Sequence, residues 1–410
     1  MRIIVQKFGG TSVADSAQRE RAVDWIVKAR EDGYHPVVVV SAMGRRGDPY
    51  ATDTLLSLVE PHTLSARDLD LLMSCGEIIA AAVLASRLVR RGVDAQVLTG
   101  GQAGITTDET FGEARIVEVD PEPVRAVLAA GRVPVVAGFQ GVTGAGEVTT
   151  LGRGGSDTTA TALGAALKAE VVDIFTDVDG IKTADPRIVP EARTLATVDY
   201  EEVFQMAHLG ARVIHPRAVE IAREFRVPVR VRSTFSASEG TLVAPRPPAL
   251  DPWAHREPER SVTGVTYLEG LVQVVVTAPE DGAADWSLAM FDALARRGVS
   301  VDLINLFPDR AYFTVPTARR GDAEAALGAL GLRYEMRADR AKVSIVGSAI
   351  HGLPGVMAQV VGALRAAGVD VLQTADSHST ISCLVDRAQM EKALRALHAR
   401  FHLGEEVKPS

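Results

Sequence analysis

The 410-residue chain is poor in the residue types that several protein classes need. Its two cysteines, Cys75 and Cys383, lie far apart in sequence, so neither a disulfide framework nor a CxxC metal or redox motif is available. This usage indicates a reducing compartment. Aromatic residues make up 5% and the formal net charge is −8, so we expect no basic, ring-bearing face that would bind nucleic acid.

Long apolar runs are also scarce. The chain starts with only three consecutive apolar residues, Ile3 to Val5, and no later run approaches the ~18 needed to span a bilayer. We therefore expect a cytoplasmic protein with no membrane segment. A hydrophobic fraction of 47% with 23% charged residues is typical of a globular protein. At roughly 100–200 residues per domain, the length predicts two or three domains.

The first 240 residues alternate between short Val/Ile-rich runs and helical patterns. The predicted strands are 3–5, 36–41, 95–98, 133–137, 171–176 and 229–231, and the predicted helices are 14–30, 77–91, 157–168 and 200–225. Near-continuous apolar strands separated by helices predict a mostly parallel sheet covered by helices on both faces. In such sheets, ligands bind beyond the carboxyl ends of the strands.

The last 150 or so residues differ from the first part. Residues 243–259 hold five of the twenty prolines without an apolar period, which predicts a linker. Beyond it, 292–304 aligns with 362–374 at an offset of 70, with the same order of strand and helix patterns. We interpret this as two small α+β modules, although a coincidental helix-Gly-strand pattern is the alternative. The predicted organisation is a domain at 1–242, a linker at 243–260, and modules at 261–338 and 339–410.

Two glycine-rich motifs precede helical patterns. In KFGGTS, Gly9 and Gly10 free backbone N–H groups to face an anion, and Thr11 or Ser12 could cap the helix. Lys7 adds a mobile charge, and only seven of the 44 basic residues are lysines. The motif indicates a phosphate site, and a glycine-rich turn with a surface lysine weighs about equally. It is not a P-loop, because GxxxxGK[ST] is absent.

The second glycine motif, LGRGGSD, ends at Asp157 at the start of a helical pattern. Its Arg153 offers a guanidinium fork that suits a carboxylate. A tight loop with a capping Asp is the alternative. A third segment, FTDVDGIKTADPR, follows the fifth predicted strand and could hold a ribose, phosphates or a metal ion, although alone it would more often be a solvated acidic turn. Its charged residues are Asp177, Asp179, Lys182, Asp185 and Arg187.

Two anion-holding loops predict two anionic ligands, such as a nucleotide and an acidic small molecule. A substrate carboxylate with a pKa near ~4 is already ionised at pH 7, so phosphoryl transfer to it needs no general base. What remains is charge neutralisation and in-line placement by Lys, Mg²⁺ and backbone N–H groups. The nine histidines form no ligand-spaced cluster, which agrees with a reaction that uses neither zinc nor a His base.

Seven motifs, in order along nearly the whole chain, resemble those of aspartate kinase within the amino-acid kinase fold. They are KFGGTS, VVVVSAMG, SCGE, AGFQG, TTLGRGGSDTTA, FTDVDGIKTADPR and VPVRVRST. The resemblance implies an α/β fold with a mostly parallel sheet between helices, followed by two ACT (βαββαβ) modules. In this family the first ACT module is inserted into the second, which puts the sequential boundary near 262–267 in question.

The resemblance also implies the reaction. The chain would use ATP and Mg²⁺ to phosphorylate the side-chain carboxylate of L-aspartate to 4-phospho-L-aspartate, the first step towards lysine, threonine and methionine. Lys7 and Asp157 would be catalytic. The nucleotide site would comprise Lys7, Gly9, Gly10, Thr176, Asp177, Lys182, Arg187 and Arg212, and the aspartate site Ser41, Thr52, Glu77, Arg153, Gly154 and Ser156. Arg212 departs from the family, which usually has a lysine there.

Regulation is implied by the paired ACT modules. The loop after the second predicted strand and the segment 371–381 are closest to the diaminopimelate-sensitive type, although lysine and threonine inhibit other members. Candidate effector residues are Ala283, Asp302 and Asn305, whose alternative is to be polar ends of a half-buried strand. Exposed sheet edges in ACT modules favour a homodimer or higher homo-oligomer.

Two other functions stay open from the sequence. A relative of the same fold could phosphorylate glutamate or N-acetylglutamate, although the 70-residue repeat argues against it. A non-catalytic amino-acid sensor would use only the repeat, and would leave Lys7, Arg153 and both glycine motifs without a role.

Overall fold

The computed structural model of the chain forms two compact units. The described residues are 1–211, 213–245, 261–279, 285–348, 350 and 353–405. The first unit comprises the described residues within 1–181, 194–207 and 212–250, and the second those within 182–193, 208–211 and 251–410. Arg212, Ala283 and residues 246–260 of the predicted linker lie outside the described residues.

Short strands and helices alternate through the first 243 residues. The strands are β1 (Ile3–Phe8), β2 (His35–Val40), β3 (Ala95–Leu98), β4 (Ile105–Thr107), β5 (Ile116–Val119), β6 (Val133–Ala137), β7 (Gln140–Thr143), β8 (Val148–Thr150), β9 (Val171–Thr176), β10 (Thr197–Val198), β11 (Val229–Ser233) and β12 (Thr241–Val243). The helices are α1 (Ser16–Glu31), α2 (Thr52–Leu56), α3 (Ala66–Arg90), α4 (Glu122–Ala129), α5 (Gly155–Leu167), α6 (Tyr200–His208) and α7 (Pro216–Phe225).

Eight of these strands form the main sheet of the first unit, in the order β10-β12-β11-β9-β1-β2-β6-β3. All neighbours are parallel except β11 and β12. The sheet is buried, and β2 and β6 consist almost entirely of buried apolar residues. The expected mostly parallel α/β sheet is therefore confirmed. Because β9, β1 and β2 are parallel neighbours, their carboxyl ends lie side by side at one edge.

Helices cover both faces of the main sheet. On one face, α1 and α3 pack in a core that includes Phe8, Val38 and Phe175. On the other face, α5 packs closely on β9, where Gly164 approaches Val172. Side chains alternate along a strand, so Lys7, next to Phe8 on β1, points to the α5 face.

Among the described residues, one helix, α3, is long and apolar enough to pass a membrane-span test by length and composition. The helix is nevertheless not an uninterrupted apolar run, because Asp70, Glu77 and Arg87 interrupt it. A core helix passes the same test, and 44% of the apolar window of α3 is buried within the protein. The helix also carries two buried carboxyl groups, Asp70 and Glu77, which an apolar membrane environment would penalise.

Most element predictions agree with the structure, and two do not. The bounds of β3, β6 and β9 are as predicted. Helix α3 begins at Ala66, well before Glu77. The single helix predicted over 200–225 is wrong: α6 ends at His208 and α7 begins at Pro216. Proline lacks a backbone N–H and clashes with the preceding turn, so it starts a helix more readily than it continues one.

The repeat is visible as structure in the second unit. The elements are β13 (Gly264–Thr277), α8 (Trp286–Arg296), β14 (Asp302–Leu306), β15 (Arg310–Pro316), α9 (Arg320–Ala329), β16 (Arg333–Val346), α10 (Val356–Ala366), β17 (Gln373–Asp376), β18 (Thr380–Asp386) and α11 (Met390–Arg400). Helices α8 and α10, and strands β15 and β18, have bounds that differ by the 70 residues of the sequence offset.

The two copies share one sheet, in the order β14-β15-β13-β16-β18-β17. Residues 271–277 of β13 pair with β15 and with 333–340 of β16. Residues 264–268 of β13 pair with 342–346 of β16, which pair in turn with β18. The start of β13 thus lies beside strands of the second copy. The predicted linker begins at Val243, which in the structure is the last residue of β12.

Because α5 lies close to β9 at Gly164, a substitution of this glycine tests how tightly the core is packed there. A Cβ at Gly164 would lie 2.3 Å from Val172 Cγ2, whereas a Cβ at the helical Gly362 would have nothing within 4 Å. We expect Gly164→Ala to destabilise the protein by about 1–3 kcal/mol through overpacking. The control Gly362→Ala should stabilise it by about 0.5–1 kcal/mol through helix propensity. Urea unfolding measures both, and equal shifts of the same sign would contradict this packing.

Candidate active site

A cleft of about 480 Å³ opens at the carboxyl-terminal edge of the main sheet in the first unit. Its walls come from the ends of β1 and β2, the start of α2, the middle of α3, and the loop that leads from β8 into α5. The structure brings nine of the predicted site residues to this cleft: Lys7, Gly10, Ser41, Thr52, Glu77, Arg153, Gly154, Ser156 and Asp157.

Lys7 and Asp157 form an ion pair in the cleft. Lys7 Nζ lies 2.7 Å from Asp157 Oδ1, and each side chain is only 12% exposed. The backbone N–H of His215 donates to Asp157 Oδ2 at 3.3 Å. Lys7 comes from β1 and Asp157 from the first turn of α5, so the pair joins the sheet to the helix that covers it. An ammonium is thereby fixed at the point where the two glycine motifs converge.

The first glycine motif forms a tight turn directly after β1. The N–H of Gly9 donates to the carbonyl of Phe175 at 3.3 Å, and a Cβ on Gly9 would come 3.3 Å from Lys7 Nζ. A Cβ on Gly10 would lie 2.7 Å from the carbonyl oxygens of Ala42 and Gly44, so a side chain is excluded there. Gly10 and Lys7 both line the cleft, so the turn borders the space beside the Lys7 ammonium.

The helix cap expected at this turn lies elsewhere. Thr11 and Ser12 belong to a short 3-10 turn, and α1 is capped by Asp15, whose side chain accepts from the N–H of Gln18 at 2.8 Å. The prediction that Thr11 or Ser12 caps the helix is therefore wrong. Ser12 instead accepts a hydrogen bond from the Thr234 hydroxyl at 2.7 Å.

The second glycine motif leads into α5. Gly154, the residue before the helix, has φ +71°, and a Cβ there would lie 2.1 Å from His215 Cγ. No side chain caps this helix, so the alternative of a loop with a capping Asp is not what forms. A helix start with free N–H groups favours an anion. Arg153, beside it, is exposed and has no hydrogen bond or ion pair with the described residues.

Glu77 is a buried carboxyl group in the wall of the cleft. It is 3% exposed, and its Oε1 accepts from the N–H of Ala42 at 3.0 Å. Its Oε2 is buried without a hydrogen-bond partner among the described residues. Burial raises the pKa of Glu77 to about 8. A carboxyl group in this state suits a ligand that brings its own cation, such as an ammonium group.

The other predicted nucleotide residues that the structure describes do not line the cleft; they are Gly9, Thr176, Asp177, Lys182 and Arg187. Thr176 is the last residue of β9, next to β1 in the sheet, and Asp177 follows it. Asp177 Oδ2 lies 2.8 Å from Arg45 Nη2. Lys182 and Arg187 belong to the second unit. There Arg187 lies 2.6 Å from Asp185 and holds the pKa of that carboxyl below its usual value.

Of the candidate effector residues, two are described. Asp302 and Asn305 lie on β14, at an edge of the sheet of the second unit. Asp302 forms an ion pair with Lys342 on β16. The roles of both residues stay predictions.

Sequence reasoning missed two residues that shape the cleft. Asp70 of α3 is fully buried, and it accepts hydrogen bonds from the N–H groups of Gly112 at 2.9 Å and Thr150 at 2.8 Å. It thereby ties the Gly112 loop and the end of β8 to α3, and its only sequence signal is an acidic residue in a largely apolar helical pattern. Phe139 lines the cleft with φ +69°, a conformation uncommon outside glycine.

The site fits a nucleotide better than it fits a metal ion alone. The open glycine turn, the Lys7 ammonium and an uncapped helix start are the groups that bind phosphates. Among the described residues, no group of three or more His, Cys, Asp or Glu side chains could hold a metal. Mg²⁺ in nucleotide sites takes many of its ligands from phosphates and water, so the residues present are compatible with Mg²⁺ that arrives with a nucleotide.

Comparison with known protein families agrees with this fold and cleft. The model described as "Amino acid kinase family" matches residues 2–233, and one described as "ACT domain" matches residues 335–399. The fold is thus that of an amino acid kinase joined to an ACT region.

Individual relatives narrow the class. Aspartokinase 1 of Bacillus subtilis (strain 168) is 47% identical over 414 residues, which covers 99% of this chain and 100% of that protein. Aspartokinase of Geobacillus stearothermophilus is 41% identical, with 99% of both chains covered. Crystal structures of E. coli aspartokinase III with aspartate and ADP, and with lysine and aspartate, are 26% identical with TM-scores of 0.75 and 0.76 and cover 97% of this chain and 99% of theirs. The chain belongs to the aspartokinases.

Membership of this family decides between the functions that the sequence left open. The chain is a kinase, and its family phosphorylates aspartate, so neither another acceptor nor a non-catalytic sensor is supported.

The buried Glu77 should give the ligand-free protein a pH-dependent stability. Its pKa is about 8 in the folded protein, well above its ordinary value of 4.5, so the folded state binds more protons between these values and stability falls as pH rises through that window. Glu77→Gln cannot ionise. We expect its stability relative to the wild type to rise by on the order of 2 kcal/mol between about pH 5 and 9.

Urea unfolding across that pH range measures the difference. Glu113→Gln, which removes an exposed carboxyl from the same cleft, is the control and should run parallel to the wild type. A constant offset between Glu77→Gln and the wild type would contradict a neutral Glu77.

Proposed function

We propose that the cleft holds L-aspartate and the phosphates of ATP together, and that the chain transfers the γ-phosphoryl group to the aspartate side chain. The observation that carries this proposal is the Lys7–Asp157 ion pair between two glycine turns, with Glu77 and Arg153 in the same cleft. The reaction gives 4-phospho-L-aspartate and ADP.

For aspartate, the proposal rests on complementary charge. The unpartnered Oε2 of Glu77 suits the substrate ammonium, and the exposed guanidinium of Arg153 suits a carboxylate. Ser41, Thr52, Gly154 and Ser156 line the same cleft and offer short polar or backbone groups. The related E. coli enzyme was solved with aspartate and ADP, which supports the same pair of ligands here.

For the nucleotide, the proposal rests on the Gly9–Gly10 turn and Lys7. Thr176 and Asp177 follow β9, the neighbour of β1, so they suit the nucleoside portion. Roles for Lys182, Arg187 and Arg212 follow only from the family resemblance. When bound, ATP supplies the phosphoryl group and Mg²⁺ offsets part of the polyphosphate charge.

The residues of the chain would act by positioning and by charge. The aspartate side chain is already ionised at neutral pH, so no group has to remove a proton. Lys7 neutralises negative charge between the two reactants, and Asp157 holds Lys7 in place from the first turn of α5. Arg153 and Glu77 orient the substrate, which lowers the entropic part of the barrier.

The wider role follows from the same family. We propose a cytoplasmic enzyme at the first step of lysine, threonine and methionine biosynthesis, assembled as a homodimer or higher oligomer. An end-product amino acid would inhibit it through the ACT region, and the related E. coli enzyme was solved with lysine in a T-state. Such inhibition requires that the effector bind one conformational state more tightly than another.

Lys7→Ala should remove most of the activity. A charge-stabilising donor in an active site typically contributes on the order of 10²–10³ in kcat, so we expect a loss of that size, with aspartate affinity changed by less than about threefold. A hydroxamate assay with ATP, aspartate and hydroxylamine measures turnover, and calorimetry measures aspartate binding. Lys28→Ala, an exposed lysine on α1, is the control. Near-normal turnover in Lys7→Ala would contradict the catalytic role of Lys7.

An effector panel tests the regulatory proposal. Initial rates with ATP and aspartate are measured while lysine, threonine and diaminopimelate are added singly and in pairs. We expect diaminopimelate to inhibit, and Asn305→Ala to need at least about fivefold more of it for half inhibition. If none of the three changes the rate in any combination, inhibition by an end product of this pathway is wrong.

A further inference from the structure

A salt bridge crosses the carboxyl-terminal edge of the main sheet above β1. In the sheet, β1 lies between β9 and β2. Arg45 follows β2 and Asp177 follows β9, and Arg45 Nη2 lies 2.8 Å from Asp177 Oδ2. Because the two partners come from the strands on either side of β1, the pair spans the end of β1, where the Gly9–Gly10 turn lies.

The backbone at Arg45 is fixed close to the cleft. Gly44 lines the cleft, and its N–H donates to the carbonyl of Gly10 at 3.0 Å, which joins the two turns. The N–H of Arg45 donates to Asp48 Oδ2 at 2.7 Å, and the N–H of Asp48 donates back to the Arg45 carbonyl at 2.9 Å. The backbone of Arg45 is thus held in a hydrogen-bonded turn, one residue after Gly44 in the cleft wall.

The side chain of Arg45, in contrast, is free to change partner. It is 71% exposed, and Asp177 is 46% exposed. Exposed ion pairs contribute little to stability. A guanidinium, however, binds phosphate oxygens through two parallel hydrogen bonds. A polyphosphate at the Gly9–Gly10 turn therefore competes well for Arg45.

The charges around the Gly9–Gly10 turn also favour a move of the Arg45 side chain from Asp177 to a bound polyphosphate. Lys7 is largely buried and forms an ion pair with Asp157, so Asp157 already balances part of its charge. Asp177 next to the turn would repel a polyphosphate unless a cation accompanied it. Arg45 neutralises Asp177 in the ligand-free protein and can move to the phosphates when they arrive. The freed Asp177 carboxylate can then accept hydrogen bonds from the sugar hydroxyls of a nucleoside.

We propose that Arg45 is a further nucleotide-binding residue, which leaves Asp177 and binds the polyphosphate of a nucleoside di- or triphosphate at the Gly9–Gly10 turn. This proposal rests on the proposed function, because it assumes that the turn holds the phosphates. It adds a residue of the loop after β2 to the nucleotide site, from a segment otherwise associated with aspartate through Ser41 and Thr52.

Calorimetry on the full chain, with Mg²⁺ and without aspartate, tests the proposal without turnover. The ligands are adenosine, ADP and ATP, and the proteins are the wild type, Arg45→Gln, Arg45→Lys and Arg46→Gln. Arg46 is an exposed neighbour in the same loop, so its variant is matched in charge change. We expect Arg45→Gln to weaken the binding of ADP and ATP about tenfold, and Arg45→Lys to weaken it less. Adenosine affinity and the Arg46→Gln values should stay within about twofold of the wild type.

The outcomes separate this inference from the proposed function. If the wild type binds neither ADP nor ATP, the proposed function fails. If the wild type binds both, but Arg45→Gln and Arg46→Gln are alike, the proposed function stands and the role of Arg45 is wrong. An equal loss of affinity for adenosine and for ADP in Arg45→Gln would also contradict this role, because it would mean that Arg45 does not act through the phosphates. So would a change confined to the KM for aspartate in the hydroxamate assay.

Discussion

The ion pair between Lys7 and Asp157 is the contact on which the rest of the site depends. It joins β1, in the middle of the main sheet, to the first turn of α5, which covers one face of that sheet. Because both side chains are shielded from water on most sides, their charges act with less screening than a surface pair would. Loss of either partner would leave the other charge shielded and uncompensated. Site geometry and local stability therefore depend on the same interaction.

Two further ionisable residues of the cleft, Glu77 and Arg153, suit a zwitterion. Glu77 is buried and has one unpartnered oxygen, whereas Arg153 is exposed and has no partner among the described residues. Without a cation nearby, burial raises the pKa of Glu77 to about 8. An arriving ammonium favours the ionised carboxylate, so binding of an amino acid would release a proton near neutral pH. A dicarboxylic acid without the ammonium would leave Glu77 neutral and gain less.

How far the sequence predicts this molecule depends on whether a feature is set by neighbours along the chain or by distant segments. The bounds of β3, β6 and β9 were predicted because Val/Ile-rich runs between polar residues are a local signal. The glycine motifs likewise marked Lys7 and Asp157. The break before Pro216 is also a local signal, but a helical periodicity runs across it from 200 to 225. The burial of Asp70 and the left-handed backbone of Phe139 depend on loops far along the chain, so no local pattern predicts them.

The second unit shows why a repeat in sequence does not give two independent modules. Strands β13 and β16 each run through both copies: residues 271–277 of β13 pair with the first copy's β15, and residues 264–268 lie beside the part of β16 that pairs with β18. Neither copy can complete its sheet without a strand that also belongs to the other. A shift of β13 or β16 at one end is therefore passed along the strand backbone to the other end, across the irregular pairing between Leu268 and Gln273. This sharing gives a physical route by which a ligand at one copy would alter the other, and it requires no contact beyond those of the sheet itself.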